Sequence, residues 1–348
     1  MKISFVGDIG LHNGYENGNY DKKGLRKYLT QFHNNDLIIG NLETFVRSNY
    51  RNPIKTPTLE TSKTSYDILK GFNWLLGTAN NHLFDTGLSG YNYSIEHLNQ
   101  IGIETWGTSL KSDVKPFRKT INDTKISIFN YVHLDTGLKT PSECKINVPT
   151  YDRDKIIEAI LLEKKTSDLV ILYFHWGGSM DYGHFPDEYQ INDSKNFIDA
   201  GADGIFGTHN HCIQPIDYYK SKPIVYGLGH FLFDDFYCNG TKTFLRPSGK
   251  KGISVDLIIN KHKISQLNVN GFEIKNLVAQ SSKKVLKKLK RINLFFKIYK
   301  RFKIIRTVYK LYLKKVEPKI FYYQLSDKSF GQKLKSISFS KIKQLFKS

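Results

Sequence analysis

Short apolar runs bounded by glycine, asparagine and aspartate recur over the first 275 residues of the chain. Seven of them have the length and content of strands: ISFV, DLIIGN, NWLLGTA, KISIFNY, DLVILYF, GIFGT and PIVYGLG. Three segments space their apolar residues as helices do: YNYSIEHLNQIG, DRDKIIEAILLEKK and INDSKNFIDAG. Polar and apolar residues then alternate through GISVDLIIN and HKISQLNVNGFEI, which predicts an antiparallel hairpin turning at NKHK. Together these patterns predict a mixed α/β domain over residues 1–275.

The pattern changes near Ser281, where apolar residues begin to recur at steps of three and four. This spacing puts them on one helical face, with lysine and arginine around the rest of the helix. The residues of that face are Val285, Leu289, Ile292, Phe296, Tyr299, Phe302, Ile305, Tyr309, Tyr312 and Val316. We therefore predict a basic amphipathic helical tail over residues 281–348.

The charge of the chain follows the same division. The formal net charge is +20 at pH 7, and residues 281–348 hold 21 basic against 2 acidic residues. The other 280 residues are nearly neutral, with 31 basic and 30 acidic groups. Three interpretations of the tail stay open: a helix packed on the α/β domain, a helix on an anionic membrane surface, or a segment that docks a polyanion or a polymer synthase. No nucleic-acid-binding module accompanies the charge, so nucleic acid is not an expected partner.

The composition indicates a folded protein in a reducing compartment. Hydrophobic residues make up 40% of the chain, which is enough for a substantial core. The three cysteines are too few and too scattered for a disulfide framework. The first residues, MKISFVGDIG, lack the apolar core of a signal peptide, and no apolar window is long enough for a transmembrane helix. We expect a cytoplasmic protein, peripheral at the inner face of the membrane if its tail binds lipid.

Polar residues that can bind a metal ion or move a proton stand where five of the predicted strands end. In open α/β sheets, groups beyond the strand ends gather in one crevice, so these side chains should lie close together. A single histidine pair such as the one in GTHNHC is a weak sign of a metal site, whereas five such strand ends are a strong one. The candidates are Asp8 and His12, Asn41 and Glu43, Asn80, Asn81, His82 and Asp85, His175, and His209 and His211.

The types of these residues restrict the chemistry. A mixture of carboxylate, imidazole and amide oxygen suits Mn, Zn or Fe better than it suits Ca or Mg. A carboxylate can bridge two such ions, and a close pair of ions suits in-line displacement at phosphorus. No serine or cysteine is placed as an obvious nucleophile. The sequence therefore predicts two divalent transition-metal ions as cofactors of a hydrolase.

The order of the motifs resembles the calcineurin-like metallophosphoesterases, and above all their CapA branch of capsule and poly-γ-glutamate synthesis proteins. The motifs that carry this resemblance span roughly residues 3–235: GNLET, ANNHLFDTG, HWG, GADGIFGTHNHCIQ and PIVYGLGHFLFD. The resemblance implies a four-layer α/β/β/α metallophosphoesterase-like sandwich, with the basic helical tail as a C-terminal appendage.

The resemblance also implies a function. It points to metal-dependent hydrolysis or transfer at a phosphoester, or at a related acyl or amide bond. The partner would be a capsule polymer such as poly-γ-glutamate or capsular polysaccharide, or its phosphorylated precursor. The alternative is a non-catalytic accessory subunit of a capsule polymer synthase or export complex. Metal content together with turnover of a generic phosphodiester separates the two.

Carried onto this sequence, the resemblance assigns a role to each candidate. One metal ion would be held by Asp8 and His211, and Glu43 would bridge it to a second ion. The ligands of the second ion would be Asn81, His175 and His209. A further pair would act on the substrate, with His82 beside the leaving group as proton donor or transition-state stabiliser and Asp85 orienting it.

Three positions depart from the pattern of the family. Gly10 replaces the usual histidine two residues after the first aspartate, which leaves one metal ion short of a ligand unless His12 reaches it. Ser179 replaces a glutamate that is common in the CapA branch. His230 stands where the branch usually has asparagine, so it is either an additional ligand or a neutral change.

Overall fold

The structure, a computed structural model, describes residues 1–50, 52, 54–55, 57–110, 114–143, 145–238 and 241–315. The part of the predicted tail from Val316 onwards lies outside the described residues. The helices are α1 (Lys22–Leu29), α2 (Gly87–Gln100), α3 (Arg153–Glu163), α4 (Glu188–Asp199), α5 (Lys283–Arg301) and α6 (Lys303–Lys315). The strands are β1 (Lys2–Gly10), β2 (Leu37–Leu42), β3 (Phe45–Val46), β4 (Glu60–Thr61), β5 (Trp74–Gly77), β6 (Glu104–Trp106), β7 (Phe117–Ile121), β8 (Thr124–Val132), β9 (Leu169–His175), β10 (Gly204–Thr208), β11 (Ile216–Tyr219), β12 (Lys222–Val225), β13 (His230–Phe233), β14 (Phe236–Cys238), β15 (Thr241–Thr243), β16 (Lys251–Asn260), β17 (Lys263–Lys275) and β18 (Val278–Ser281).

Most of the strands belong to two sheets. The first has the order β18-β17-β16-β1-β2-β5-β6, and β13 also pairs with β1. The second has the order β11-β12-β10-β9-β8-β7. The central strands run parallel within each sheet. All seven predicted strands, the three predicted helices and the β16–β17 hairpin are present, so the prediction of a mixed α/β fold is confirmed.

The two sheets pack face to face through a core of aliphatic and aromatic side chains. Phe5 of β1 stacks on Phe206 of β10, with ring centroids 3.7 Å apart. The Tyr173 hydroxyl of β9 donates a hydrogen bond of 2.8 Å to the carbonyl of Val6. Strand β9 is buried over its whole length, as expected of a parallel strand that is covered on both faces. Because the central strands are parallel, their carboxyl ends lie at one edge of each sheet.

The other face of the first sheet is covered by helices. Leu25 and Leu29 of α1 and Leu98 of α2 share a buried cluster with Ile38 of β2 and Leu76 of β5. Burying one apolar stripe of each helix against a sheet is the usual way in which such layers are stabilised.

The first part of the predicted tail packs on the α/β core. The chain divides into two compact units, residues 1–295 and residues 296–348. Within the first unit, Val285, Leu289 and Ile292 of α5 belong to the cluster that lies between the sheets. The Asn293 side chain accepts a hydrogen bond of 3.0 Å from the backbone of Ile216. The division into a domain over residues 1–275 and a tail over residues 281–348 stays a prediction.

The tail is not one continuous helix as its apolar pattern predicts, because the helix is interrupted at Phe302. Arg306 contacts the carbonyl oxygens of Lys300 at 3.0 Å and of Tyr299 at 3.4 Å. These carbonyls lie at the C-terminal end of α5, where intrahelical partners are missing. The apolar spacing continues through the break, so the sequence pattern did not reveal it. Among the described residues, no helix has the length and hydropathy needed to cross a bilayer.

The packing of α5 has a measurable consequence. Leu289→Ala should lower the free energy of unfolding by about 2–5 kcal/mol, because it leaves a cavity in the core. Leu294→Ala on the same helix is the matched control: Leu294 is 61% exposed, so the expected change is below about 0.5 kcal/mol. Chemical denaturation of the full-length chain, followed by circular dichroism, measures both values. Equal losses in the two variants would contradict this packing.

Candidate metal centre

The carboxyl ends of central strands from both sheets meet at one place. Asp8 lies on β1, Glu43 directly follows β2, and His175 is the last residue of β9. Their ligand atoms are buried and all lie within 4.8 Å of one another. Asn81 comes four residues after β5, and His209 directly follows β10. The structure thus brings together polar residues from five strand ends that are far apart in the sequence.

The Nε2 atom of His175 is surrounded by three other ligand atoms. It lies 2.9 Å from Asn81 Oδ1, 3.1 Å from His209 Nδ1 and 3.7 Å from Glu43 Oε1. Atoms that bind one ion at about 2.0–2.2 Å stand roughly 3–3.5 Å from each other. Two imidazole nitrogens, a carboxylate oxygen and an amide oxygen are donors that Mn, Zn and Fe accept. The donor types suit such an ion, and the two shorter distances from His175 Nε2 lie close to this spacing.

The Asn41 side chain connects the two carboxylates to His175. Its Nδ2 lies 2.8 Å from Asp8 Oδ1, 3.1 Å from Glu43 Oε1 and 3.1 Å from His175 Nδ1. Asn80 donates a hydrogen bond of 3.2 Å to Asn41 Oδ1 and holds the amide in this orientation. The second Glu43 oxygen, Oε2, is buried and has no hydrogen-bond partner among the described residues. A buried carboxylate oxygen without a partner is costly, and a second cation beside it would remove that cost.

The electrostatics of the cluster favour a bound cation. Burial raises the pKa of Asp8, and burial together with repulsion from Asp8 raises the pKa of Glu43 well above its ordinary value. Burial lowers the pKa of His209 to about 3 and lowers the pKa of His175 well below its ordinary value. Neutral imidazoles are the form that binds metal ions, and a divalent cation stabilises the charged form of both carboxylates.

The loop after β10 holds two histidines in an uncommon backbone conformation. His209 has φ 84° and His211 has φ 54°, in a region that residues other than glycine rarely adopt. The backbone N–H of His209 donates to Asp8 Oδ2 at 3.2 Å, which ties this loop to β1. His211 Nδ1 lies 2.8 Å from Asp181 Oδ1, so its Nε2 is the nitrogen left for a metal ion.

A cavity of about 550 Å³ opens beside the cluster. It gives a substrate access to the proposed ligands, and its wall carries both lysines and aspartates, Asp135 and Asp181. The proposed site residues and the lysines in its lining are Asn81, His82, His209, His211, Lys55 and Lys139.

His82 is held from two sides at the wall of this cavity. Its Nδ1 lies 2.6 Å from Asp85 Oδ2 and 2.9 Å from Lys55 Nζ. The Asp85 carboxylate is itself fixed by a hydrogen bond of 2.7 Å from the backbone of Leu59. Burial, with the charge of Lys55 as the next cause, lowers the pKa of His82 to about 4. The imidazole is therefore neutral near pH 7 and fixed in orientation.

His12 lies beside Gly10, with its Cε1 3.1 Å from the place that a Cβ of Gly10 would take. Its Nε2 lies 3.1 Å from the carbonyl oxygen of Asp234, and its ring packs edge-on against Phe233 at a centroid distance of 4.9 Å. It is absent from the described lining of the cavity. Gly10 cannot carry a ligand, because a Cβ there would lie 2.6 Å from Phe233 Cε2. The rings of Phe233 and His12 both border the space beside Gly10.

Two residues of the site carried no signal in the sequence. Lys55 lies between β3 and β4, and Asp181 lies in the loop after β9, so neither stands at the end of a predicted strand. Their partners are distant in the sequence: Lys55 contacts His82 across 27 residues, and Asp181 contacts His211 across 30 residues. Only the path of the loops in three dimensions makes these contacts.

Comparison with known proteins identifies the family. Residues 2–235 match the family described as bacterial capsule synthesis protein PGA_cap. The PGA biosynthesis protein CapA of Bacillus subtilis is 30% identical over 245 residues, which are 67% of this chain and 63% of that protein. The capsule biosynthesis protein CapA of Bacillus anthracis is 28% identical over 256 residues, which are 67% of this chain and 60% of that protein.

Among solved structures, the chain is similar to the NAD nucleotidase of Haemophilus influenzae, with a TM-score of 0.43 and 16% identity over 84% of this chain and 62% of that one. The chain spans less than two thirds of the length of both CapA relatives. The family match includes every proposed metal ligand from Asp8 to His211. It also confirms the resemblance to the CapA branch, and the chain belongs to the bacterial capsule synthesis protein family PGA_cap.

Proposed function

We propose that the chain is a metal-dependent hydrolase with two divalent transition-metal ions of Mn, Zn or Fe. The observation that carries this proposal is the set of three ligand atoms, from Asn81, His209 and Glu43, around Nε2 of His175. In the proposal, Asn81, His175 and His209 hold one ion. The other ion is held by Asp8 and His211, and the Glu43 carboxylate serves both.

The ions would supply Lewis-acid stabilisation of negative charge on a phosphoryl or acyl oxygen. The residues of the chain position the substrate and the ligands. The strained loop after β10 directs His209 and His211, and the contacts of Asp85 and Lys55 fix His82. We propose that His82 stabilises the leaving group by a hydrogen bond, because a neutral imidazole with a pKa of about 4 holds no extra proton to donate near pH 7.

We further propose that the substrate is a capsule-type polymer or its phosphorylated precursor. The curated relatives are named for the biosynthesis of PGA and of capsule. A phosphoester is the first candidate for the bond that is cleaved, followed by a related acyl or amide bond.

Hydrolysis of bis(4-nitrophenyl) phosphate tests the proposed reaction. The chain loaded with Mn²⁺ should release 4-nitrophenolate, treatment with EDTA should stop the release, and added Mn²⁺ should restore it. Metal binding without turnover of this diester would instead support the accessory-subunit alternative.

The proposal includes the four-layer α/β/β/α arrangement. The described residues support a helical layer on the second sheet, since Ile156 and Ile160 of α3 are buried and Phe197 of α4 stacks near Phe174 of β9 at a centroid distance of 5.6 Å. A sandwich of this kind would hold the carboxyl ends of both sheets at one site.

For the tail, we propose binding to an anionic membrane surface, with the protein peripheral at the cytoplasmic face. Helix α6 contains no acidic residue. It leaves large apolar side chains exposed, among them Ile304 at 73% and Val308 at 48%. Exposed apolar side chains beside lysine and arginine are typical of helices that lie in the membrane interface.

Charge reversal in the tail tests membrane binding. Replacing Lys297, Lys303 and Lys314 with glutamate should weaken binding to phosphatidylserine vesicles at least about a hundredfold, since each lysine near such a surface contributes about 1 kcal/mol. Cosedimentation at physiological salt measures the affinity. The matched control makes the same changes on α1, at Lys22, Lys23 and Lys27. Similar affinity in both variants would show that the tail does not bind the membrane.

A further inference from the structure

His230 has an unused ring nitrogen beside the proposed metal ions. It begins β13 and pairs in register with Asp8 of β1. Its side chain is buried, and its Nδ1 lies 2.9 Å from the carbonyl oxygen of Gly249. A carbonyl oxygen only accepts hydrogen bonds, so Nδ1 carries the hydrogen and Nε2 presents a lone pair. Metal-binding histidines typically have this arrangement, with one ring nitrogen bonded to a carbonyl and the other on the ion.

The Nε2 of His230 has no hydrogen-bond partner within the described part of the chain. The ring lines the cavity, and its centroid lies 4.9 Å from that of His211. A buried polar atom without a partner costs free energy and is unusual in a native structure. The position of this atom, next to His211 and on the strand that pairs with Asp8, indicates what it could bind.

Phe233 explains why this chain needs a ligand from β13. Its ring leaves no room for a side chain at Gly10, where a Cβ would lie 2.6 Å from Phe233 Cε2. The same ring stacks on His230, with centroids 4.1 Å apart and an angle of 11° between the planes. Phe233 therefore closes the position two residues after Asp8 and at the same time supports the imidazole of His230.

His12 is the other candidate for a metal ligand in place of one at Gly10, and it resembles His230 in one respect. One of its ring nitrogens faces a backbone carbonyl, and the other is buried without a hydrogen-bond partner among the described residues. The His12 ring stands nearly perpendicular to that of Phe233, and its Cε1 lies 3.1 Å from the place of a Cβ at Gly10, whereas His230 stacks on Phe233 and lines the cavity. Of these two histidines, His230 is the one found among the described residues that line the cavity.

We infer that His230 Nε2 is a ligand of the metal ion held by Asp8 and His211, in place of a ligand at Gly10. The inference rests on the proposed function, because it requires a metal ion at this site. Gly249 and Phe233 are then positioning residues, which fix the tautomer and the plane of the imidazole.

Titration of Zn²⁺ into the metal-free, full-length protein tests the inference by calorimetry. His230→Gln keeps an amide that can reach the Gly249 carbonyl but removes the ring nitrogen. One of the two Zn²⁺-binding steps should weaken at least about tenfold, since even the outer partners of metal ligands contribute that much. His184→Gln is the matched control: His184 Nδ1 also faces a backbone carbonyl, that of Ile213 at 3.1 Å, and His184 is not among the described lining of the cavity. This control should bind Zn²⁺ like the wild type.

The outcomes separate the inference from the proposed function. Unchanged Zn²⁺ affinity in His230→Gln, or a loss in His12→Gln alone, would overturn the inference while leaving a metal-binding protein. A wild type that binds no Zn²⁺ would remove the proposed function and the inference together. If His230→Gln does not fold, anomalous scattering from a zinc-loaded crystal of the wild type decides. Zinc within about 2.0–2.1 Å of His230 Nε2 supports the assignment, and a longer distance overturns it.

Discussion

His175→Ala should remove at least one metal ion per chain from the purified protein. The Nε2 atom of His175 lies 2.9 Å, 3.1 Å and 3.7 Å from ligand atoms of Asn81, His209 and Glu43, so its loss affects the surroundings of all three. Its loss would leave an ion with too few ligands, and the buried carboxyl of Glu43 would lose the cation that stabilises its charge. Elemental analysis after loading with Mn²⁺ and desalting measures the effect.

Two further variants make this result interpretable. His209→Ala removes a proposed ligand from the cavity wall and should also lower the metal content. A loss of metal in this second variant shows that the result does not depend on the folding of the His175 variant alone. His97→Ala removes a histidine on α2 that contacts Asp67, away from the cluster, and should keep the wild-type content. Full metal content in both His175→Ala and His209→Ala would show that the ion is bound elsewhere.

His82→Ala should keep its metal ions and lose most of its turnover. The His82 imidazole touches none of the four atoms around the proposed ion, yet it faces the cavity and is held by Asp85 and Lys55. Groups that assist a leaving group typically contribute a factor of roughly 10² to 10⁴ in rate. Steady-state hydrolysis of the diester, with the metal content of each sample measured in parallel, gives both quantities.

A positioning variant sharpens the same experiment. Asp85→Asn should lower kcat by less than His82→Ala, because the asparagine side chain still reaches His82 but no longer carries the charge that orients it. An unchanged rate in His82→Ala would remove His82 from the reaction. Joint loss of metal and activity would instead make it part of the metal site.

The sequence predicted the strands and the polar residues at their ends because both follow from local patterns. The apolar run of β9, LVILYFH, is buried throughout and ends at His175. The run of β10 ends directly before His209, where the chain turns through a strained loop. Parallel strands then bring these ends to one edge, so residues 34 positions apart lie in contact. The strand pattern therefore identified residues that the folded chain brings close together.

The remaining features depend on contacts that no local pattern records. Phe233 lies beside Gly10 although it belongs to a strand more than 220 residues away, so the sequence showed the glycine but not the ring that packs against it. Lys55 reaches His82 from a connecting segment without regular structure. The break at Phe302 is stabilised by Arg306, whose side chain bonds carbonyls of the preceding turn while the apolar spacing continues unchanged.

The metal content of the wild-type, full-length chain tests the central claim most directly. After loading with Mn²⁺ and removal of free metal, elemental analysis should find between one and two ions per chain. The reason is that ligand atoms of Asn81, His209 and Glu43 surround His175 Nε2, and the buried Oε2 of Glu43 has no hydrogen-bond partner among the described residues. A chain that is folded by circular dichroism and retains no Mn, Zn or Fe after loading would contradict the account.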